Sequence, residues 1–130
     1  MKTIKIMTFN LRVPVRRDGV NDYPNRQPGI VRMLEEEAPD LIGFQEASES
    51  ARRELALALS ERYCLIGCGR EADYNGEGVP VAYRRERFEA ISYDTFWLSD
   101  RPHVPGSRYE DSDQSKYPRM AHWRLQWYLP

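Results

Sequence analysis

Hydrophobic and polar positions alternate at the start of the chain and then recur at helical spacing. Residues 4 to 11 read IKIMTFNL, in which every second side chain can face the same side of a sheet, so we predict a strand there. From Gly29 to Ala38 the apolar positions recur every three or four residues, and Pro39 cannot continue a helix. Residues 12 to 28 hold three prolines and a polar run, which predicts a long loop.

The following segments continue this alternation of strands and helices. Leu41 to Phe44 is apolar enough for a strand buried on both faces, and Tyr63 to Ile66 predicts another strand. Between them, Ser48 or Ser50 can cap a helix. Its predicted core stripe is Ala51, Leu55 and Leu59, and its predicted water-facing residues are Arg52, Arg53 and Glu61. The order β-α-β-α-β predicts parallel pairing.

The second half of the chain has the pattern of an antiparallel sheet. Residues 73 to 76, DYNG, have turn chemistry, and three strand-like segments follow, at 79–84, 89–97 and 120–129. Residues 99 to 118 are polar and rich in proline and aspartate, which predicts a surface loop. We therefore predict a single α/β domain over residues 1–130, with a mixed sheet and helices on one face.

Composition and charge argue against several classes of function and site. The chain has 130 residues, with 19 basic and 20 acidic side chains and a net charge of −1. No global field therefore attracts nucleic acid or an anionic membrane, and any phosphate binding must be local. Cys64 and Cys68 have no second pair nearby, which argues against a zinc site and favours free thiols. No apolar stretch is long enough for a membrane span or the core of a secretory signal, so we predict a cytoplasmic location.

Polar side chains follow the first two predicted strands at the point where each strand ends. Asn10 ends the first strand and Glu46 follows the second, and the carboxyl ends of parallel strands meet at one edge of the sheet. An amide and a carboxylate both offer oxygen, which suits a hard cation such as Mg²⁺. From the residues alone, a metal site and an ordinary solvated strand end both remain open.

Two other motifs have weaker functional interpretations. Residues 67 to 72, GCGREA, resemble a dinucleotide fingerprint, but a turn follows them and no helix begins there to face a pyrophosphate. His103 and His122 have no Ser, Cys or carboxylate at a spacing that predicts a triad, so a solvated or structural role is favoured for both.

An ordered set of motifs resembles the endonuclease/exonuclease/phosphatase superfamily. The segments, in chain order, are MTFNLR, DxxNxYxxR from Asp18 to Arg26, APDLIGFQEA, GEGVPVAYRRERFE, TFWLSDRPHVPGS and PRMAHWRL. The likeness covers nearly the whole chain and matches the N-terminal half of the family, with Tyr23 where a tryptophan is usual. The family includes deoxyribonucleases, apurinic endonucleases, neutral sphingomyelinases and inositol polyphosphate phosphatases.

The resemblance implies roles for four residues. Glu46 matches the carboxylate that binds the catalytic divalent metal, Mg²⁺ or Mn²⁺, and Asn10 matches the asparagine that helps to arrange metal and phosphate. Glu77 matches a glutamate that orients the catalytic histidine, a common supporting role at such sites. Arg119 resembles an arginine that contacts the substrate phosphate, for which a guanidinium is well suited.

The family pattern continues with motifs that this sequence does not hold. The second half of the family supplies the catalytic histidine, a Gly-Asp-Phe-Asn motif and a Ser-Asp-His motif, and its sheet packs on the first. We therefore expect a truncated metal-dependent phosphoesterase, one half of the family's two-half sandwich, that is inactive alone and binds metal weakly. We expect it to need a complementary C-terminal half or to self-associate through an exposed sheet face. The alternative is a non-catalytic remnant or phosphate-binding module.

Overall fold

The computed structural model describes residues 3–110 and the backbone of residues 121–128. Within these residues strands and helices alternate in the first half of the chain and strands alone follow, which confirms the predicted mixed α/β class. The elements are β1 (Ile6–Asn10), a short 3₁₀ segment (Arg16–Asn21), α1 (Tyr23–Glu37), β2 (Leu41–Gln45), α2 (Glu49–Ala58), β3 (Tyr63–Ile66), β4 (Val81–Arg84), β5 (Glu89–Trp97) and β6 (Ala121–Tyr128). None of the helices in these ranges has the length and apolar character that crossing a membrane requires.

The main sheet has the order β1-β2-β4-β3. Strand β1 pairs with β2 in parallel, and β4 is antiparallel to both β2 and β3. Strand β3 therefore runs in the predicted direction, the same as β1 and β2, but β4 lies between it and β2. The segment between β3 and β4 turns back on itself through a bridge between Gly69 and Gly78, which brings β4 into this position.

The last two strands form a separate two-stranded sheet. Strand β5 pairs with β6 in antiparallel register from Glu89–Tyr128 to Trp97–Ala121, with an irregularity between Ala90 and Ser92. This confirms the predicted antiparallel pairing of the second half. The predicted loop at 99–118 is described as far as residue 110, where it consists of turns and irregular backbone.

Helix α1 begins well before the predicted position. The sequence predicted a loop through Pro28, but the helix starts at Tyr23, where the Asp22 side chain accepts a hydrogen bond from the Tyr23 amide. A proline in the first turn fits a helix start, because the missing N–H would have no partner there. Pro28 lies inside the helix, so proline content was a misleading signal for a loop here.

One face of the main sheet packs on both helices. Ile42, Phe44 and Ala82 from the sheet share one buried cluster with Leu34 of α1 and Leu55 of α2. The predicted stripe of α2 is confirmed, and Ser48 caps the helix by accepting from the Ala51 amide over 3.2 Å. Arg52 was predicted to face water, but it is buried, with 8% of its surface exposed.

Candidate functional site

Asn10 and Glu46 meet at the carboxyl ends of β1 and β2. Asn10 is paired with Gln45 in the parallel register, and the Leu11 amide donates to the Gln45 carbonyl over 2.9 Å. Beyond this pairing, Asn10 Nδ2 donates to Glu46 Oε1 over 2.9 Å. The two strand-end residues singled out in the sequence are therefore in direct contact.

The Glu46 carboxylate is held in its ionised form by neutral donors. Its Oε2 accepts from the Val13 amide over 3.1 Å. The hydrogen bond from Asn10 is the largest cause of a lowered Glu46 pKa, followed by the bond from Val13 and the charge of Arg12. Asn10 is itself oriented, because its Oδ1 accepts from the Arg12 amide over 2.8 Å. The result is a fixed, charged oxygen pair at the edge of the sheet.

The backbone is left-handed just after both strands. Glu46 has a φ of +52° and Arg12 a φ of +62°, a region that residues with a side chain rarely adopt. Such a residue costs of order 1–3 kcal/mol and persists only where the surrounding structure fixes it. Here Glu46 is held by its hydrogen bonds from Asn10 and Val13, and Arg12 is held by the bond from its amide to Asn10 Oδ1.

A backbone bridge brings the loop before β4 alongside the end of β2. Ala47 and Gly78 exchange two hydrogen bonds, of 3.1 and 2.9 Å. The buried Arg52 guanidinium donates from Nη1 to the Ala47 carbonyl over 2.8 Å and to the Gly76 carbonyl over 2.6 Å. Glu46 and Glu77 are thus the residues that directly precede the two members of this bridge.

Glu77 pairs with an arginine of the same loop. Its Oε2 lies 2.9 Å from Arg70 Nη1, an ion pair without the alignment of a good hydrogen bond. The Arg70 amide donates to the Glu77 carbonyl over 3.0 Å, and the Arg70 carbonyl accepts from Trp97 Nε1 over 2.6 Å. The loop that carries Glu77 is therefore tied to the end of β5.

A second ion pair lies beside Asn10. Arg12 Nε is 3.0 Å from Asp18 Oδ2, and this pairing raises the pKa of Arg12 and lowers that of Asp18. Arg26 of α1 donates from Nη2 to the carbonyl of Leu11, the residue before Arg12, over 2.6 Å, which ties the end of β1 to the helix. The segment predicted as a loop is thus folded tightly around the end of β1.

The structure places three of the four predicted site residues at this end of the sheet. Asn10 and Glu46 are in contact and Glu77 lies next to the bridge, whereas Arg119 falls outside the described residues. Sequence reasoning missed Arg52 and Arg70, because neither the period of α2 nor the loop composition indicates that a carbonyl or a carboxylate will face them. Within the described part of the chain, no three His, Cys, Asp or Glu side chains converge as a metal cluster.

Comparison with solved structures identifies the fold. An endonuclease/exonuclease/phosphatase from Bacteroides vulgatus superposes with a TM-score of 0.88 and 25% identity over 98% of this chain and 48% of its own. The chain has the endonuclease/exonuclease/phosphatase fold. A mannosyl-6-phosphatase from Bacteroides thetaiotaomicron shares this phosphoesterase fold with a TM-score of 0.78 and 27% identity, over 93% of this chain and 43% of its own.

More distant comparisons agree with the endonuclease/exonuclease/phosphatase fold. ANGEL2, a 2′,3′-cyclic phosphatase, has a TM-score of 0.60 with 17% identity over 72% of this chain and 30% of its own, so it supports the fold alone. Among curated proteins, the uncharacterised protein R895 of Acanthamoeba polyphaga mimivirus is 24% identical over 90% of this chain and 19% of its own length. No protein-family profile matches the chain. The chain spans less than half of the matched structures.

Proposed function

We propose that this chain supplies the metal-binding part of a phosphoesterase that hydrolyses a phosphate ester with a metal-activated water. The observation that carries the proposal is the Glu46 carboxylate, held ionised by Asn10 and Val13 at the mouth of two parallel strands. Ligands of open α/β sheets bind outside the carboxyl ends of the strands, where this carboxylate lies.

The donor set fits a hard divalent cation that keeps most of its waters. Each Glu46 oxygen accepts one hydrogen bond from a neutral donor and keeps a lone pair, and Asn10 Oδ1 accepts one from the Arg12 amide. Mg²⁺ is commonly bound by one or two carboxylates together with waters and substrate phosphate. Glu46 would therefore hold Mg²⁺ or Mn²⁺ directly, with Asn10 orienting the carboxylate and facing a bound water, and the affinity in this chain alone would be low.

The chain's own residues prepare this site for a phosphate group. A bound divalent cation would supply charge stabilisation at the phosphoryl oxygens and a more acidic water. Glu46 balances part of that positive charge without needing to lose a proton, because its pKa is already lowered. Arg119 is proposed to contact the phosphate, where a guanidinium can donate two parallel hydrogen bonds.

Glu77 is proposed to orient a catalytic imidazole. Its carboxylate is ion-paired with Arg70 and lies on a loop that Arg52 and the Ala47–Gly78 bridge hold against the strand end. A carboxylate that is fixed in this way can hold an imidazole in one tautomer. We propose that the imidazole comes from a complementary half, so that the chain is inactive alone.

The face of the main sheet opposite the helices is proposed as the contact with that half. The side opposite the helices includes Ile6 at the start of the edge strand β1, which is 72% exposed although it is a β-branched apolar residue. Leu41 and Val81 on the same face are half-buried. A second sheet or a second copy of this chain would bury these side chains and remove the exposed apolar surface.

The proposal is tested by measuring metal binding and hydrolysis separately. Mn²⁺ added to the isotope-labelled chain should broaden the signals of residues near Glu46 in the wild type and not in Glu46→Gln. Glu35→Gln, an exposed glutamate on α1, is the matched control and should bind Mn²⁺ as the wild type does.

Hydrolysis is then measured with bis-p-nitrophenyl phosphate and p-nitrophenyl phosphate in Mg²⁺ or Mn²⁺. We expect turnover only when a C-terminal half from a homologous enzyme of this fold is added, and loss of that turnover in Glu46→Gln. Site-specific metal binding that never supports turnover would favour the alternative, a phosphate-binding module. Mn²⁺ broadening that Glu46→Gln leaves unchanged would overturn the assignment of Glu46.

A further inference from the structure

An open groove lies beside the loop that carries Glu77. Its volume is about 310 Å³, at the lower end of the range of small-molecule sites. Its aromatic lining comes from Tyr74, Tyr93 and Trp97, and its polar lining comes from Asp94, Thr95 and His103. Trp97 is 3% exposed and forms the floor, whereas Tyr74 and Tyr93 are 50% and 60% exposed and form the walls. The groove has the size for one ring.

Tyr74 is held at the rim in a conformation that is unfavourable for a large side chain. Its φ is +64°, although Asn75 and Gly76, which suit the left-handed region, follow directly. The turn fixes it, because the Tyr74 carbonyl accepts from the Gly69 amide over 2.7 Å and its amide donates to the Glu71 carbonyl over 2.9 Å. Its ring meets the Trp97 ring edge-on with centroids 5.9 Å apart. Residues held in such strained backbone regions cluster at functional sites.

The groove is physically connected to the proposed phosphoesterase site. Trp97 Nε1 donates to the Arg70 carbonyl over 2.6 Å, and the Arg70 side chain pairs with Glu77. Tyr74 is three residues from Glu77, so their Cα atoms are at most about 11 Å apart. A phosphate ester bound near Glu46 and Glu77 can therefore place the group that carries the phosphate in the groove.

The side chains of the groove favour an uncharged, hydroxyl-rich ring. Among the described lining residues there is one aspartate and no lysine or arginine, so these residues differ from the basic lining that follows a nucleic-acid backbone. The carboxylate of Asp94, the hydroxyl of Thr95 and the imidazole of His103 can accept or donate hydrogen bonds to hydroxyl groups. The exposed tyrosine rings provide apolar surface for the C–H faces of a sugar.

We propose that this groove binds the sugar ring of a hexose phosphate and so determines the substrate class of the site. The inference rests on the proposed phosphoesterase function for the position of the phosphate. Ring recognition itself does not require turnover, so the two are separable by experiment.

The test is a binding titration of the full 130-residue chain in the presence of Mg²⁺, monitored by nuclear magnetic resonance. The probes are glucose 6-phosphate, inorganic phosphate and adenosine 5′-monophosphate. We expect glucose 6-phosphate to bind more tightly than the other two and to shift the indole N–H of Trp97, which Trp97→Phe identifies. Equal affinity for glucose 6-phosphate and inorganic phosphate would overturn the proposal, as would tighter binding of the nucleotide.

Tyr74→Asn is the discriminating variant, since asparagine tolerates the left-handed backbone and should leave the fold intact. It should weaken glucose 6-phosphate binding by up to about tenfold, the loss of one ring contact, and leave inorganic phosphate binding unchanged. Tyr109→Ala, an exposed tyrosine outside the groove, should change neither. Unchanged sugar binding in Tyr74→Asn would contradict the proposal.

Sugar binding and turnover, each measured in the wild type and in Glu46→Gln, separate this inference from the proposed function. If the preference for glucose 6-phosphate persists but no metal or complementary half gives turnover, the groove assignment stands and the phosphoesterase proposal fails. If turnover depends on Glu46 but glucose 6-phosphate, methyl phosphate and the nucleotide are hydrolysed equally well, the phosphoesterase proposal stands and the groove assignment fails.

Discussion

The side-chain amide of Asn10 donates to Oε1 of Glu46 over 2.9 Å, across the open end of two parallel strands. The two residues are far apart in the chain, and each follows or ends its own strand. Their contact makes the carboxylate a stronger acid and fixes its direction. Any ligand that binds at this edge of the sheet therefore meets a negative charge that does not need to be created on binding.

Asn10→Ala should raise the pKa of Glu46 towards its ordinary value of 4.5, because the largest cause of the lowering is removed. A lowered pKa stabilises the folded state above 4.5, and this contribution is lost as the pH falls through the folded pKa. In Asn10→Ala the stability that Glu46 contributes, and that is lost in acid, should therefore be smaller. Titration of the Glu46 side-chain carboxyl carbon measures the shift directly.

Asn25→Ala is the control for this titration. Asn25 donates to the Gly19 carbonyl and does not contact Glu46. It should leave the Glu46 midpoint where it is in the wild type. An unchanged midpoint in Asn10→Ala would show that the hydrogen bond contributes little in solution.

Arg52→Met should destabilise the protein by about 2–3 kcal/mol, since methionine keeps an apolar stem and removes a charged donor to two carbonyls. The adjacent Arg53 pairs with Glu49 on the surface and is largely exposed, so Arg53→Met should change stability by less than about 0.5 kcal/mol. Urea denaturation of both variants measures the difference. Similar midpoints for the two would contradict the structural role of Arg52.

Gly78→Ala should disrupt the bridge that positions Glu77. A Cβ at this position would lie 2.3 Å from the Cys68 carbonyl oxygen and 3.1 Å from Arg52 Nη1, so the backbone would have to move. We expect a loss of about 1–3 kcal/mol. Gly29→Ala is the matched control, because nothing lies within 4 Å of its Cβ and the residue is inside α1.

The control should be stabilised by about 0.5–1 kcal/mol through the helix preference for alanine. Thermal or urea unfolding distinguishes the opposite signs of the two changes. A Gly78→Ala protein as stable as the wild type would mean that the loop before β4 can relax without loss.

Tyr23→Phe should leave stability at pH 7 unchanged or raise it by about 1 kcal/mol, since the Tyr23 hydroxyl is buried without a hydrogen-bond partner among the described residues. Burial raises the pKa of Tyr23 to about 12 from an ordinary value of 10.0. The raised pKa stabilises the folded state below pH 10.0, and that contribution is lost as the pH rises towards about 12.

The phenylalanine variant lacks this alkaline loss, so its advantage over the wild type should grow between pH 10.0 and about 12. Unfolding free energies of the two proteins at pH 7 and at pH 11 give the comparison. A large destabilisation by Tyr23→Phe at pH 7 would mean that the hydroxyl has a partner.

The extent of sequence-based prediction differs between the elements. Strand β5 was predicted correctly, and of the two serines offered as the cap of α2, Ser48 and Ser50, the structure selects Ser48, since strand patterns and capping chemistry are local properties. The start of α1 was not, because proline content indicates a loop and does not reveal that Asp22 caps a helix containing two prolines. Arg52 was predicted to face water because helical periodicity shows only which way a side chain points from the helix axis. It does not show that the Ala47 carbonyl lies in that direction.

For the candidate site, the sequence by itself determined which residues stand at the strand ends. Local sequence patterns predict both the short apolar strand before Glu46 and the alternating strand that Asn10 ends. The parallel pairing of β1 and β2 follows from the helix between them. Only the tertiary structure decided that Nδ2 of Asn10 contacts Glu46, that β4 lies between β2 and β3, and that Arg52 holds the Glu77 loop against the strand end. These depend on distances between residues far apart in the chain, which only the packed fold determines.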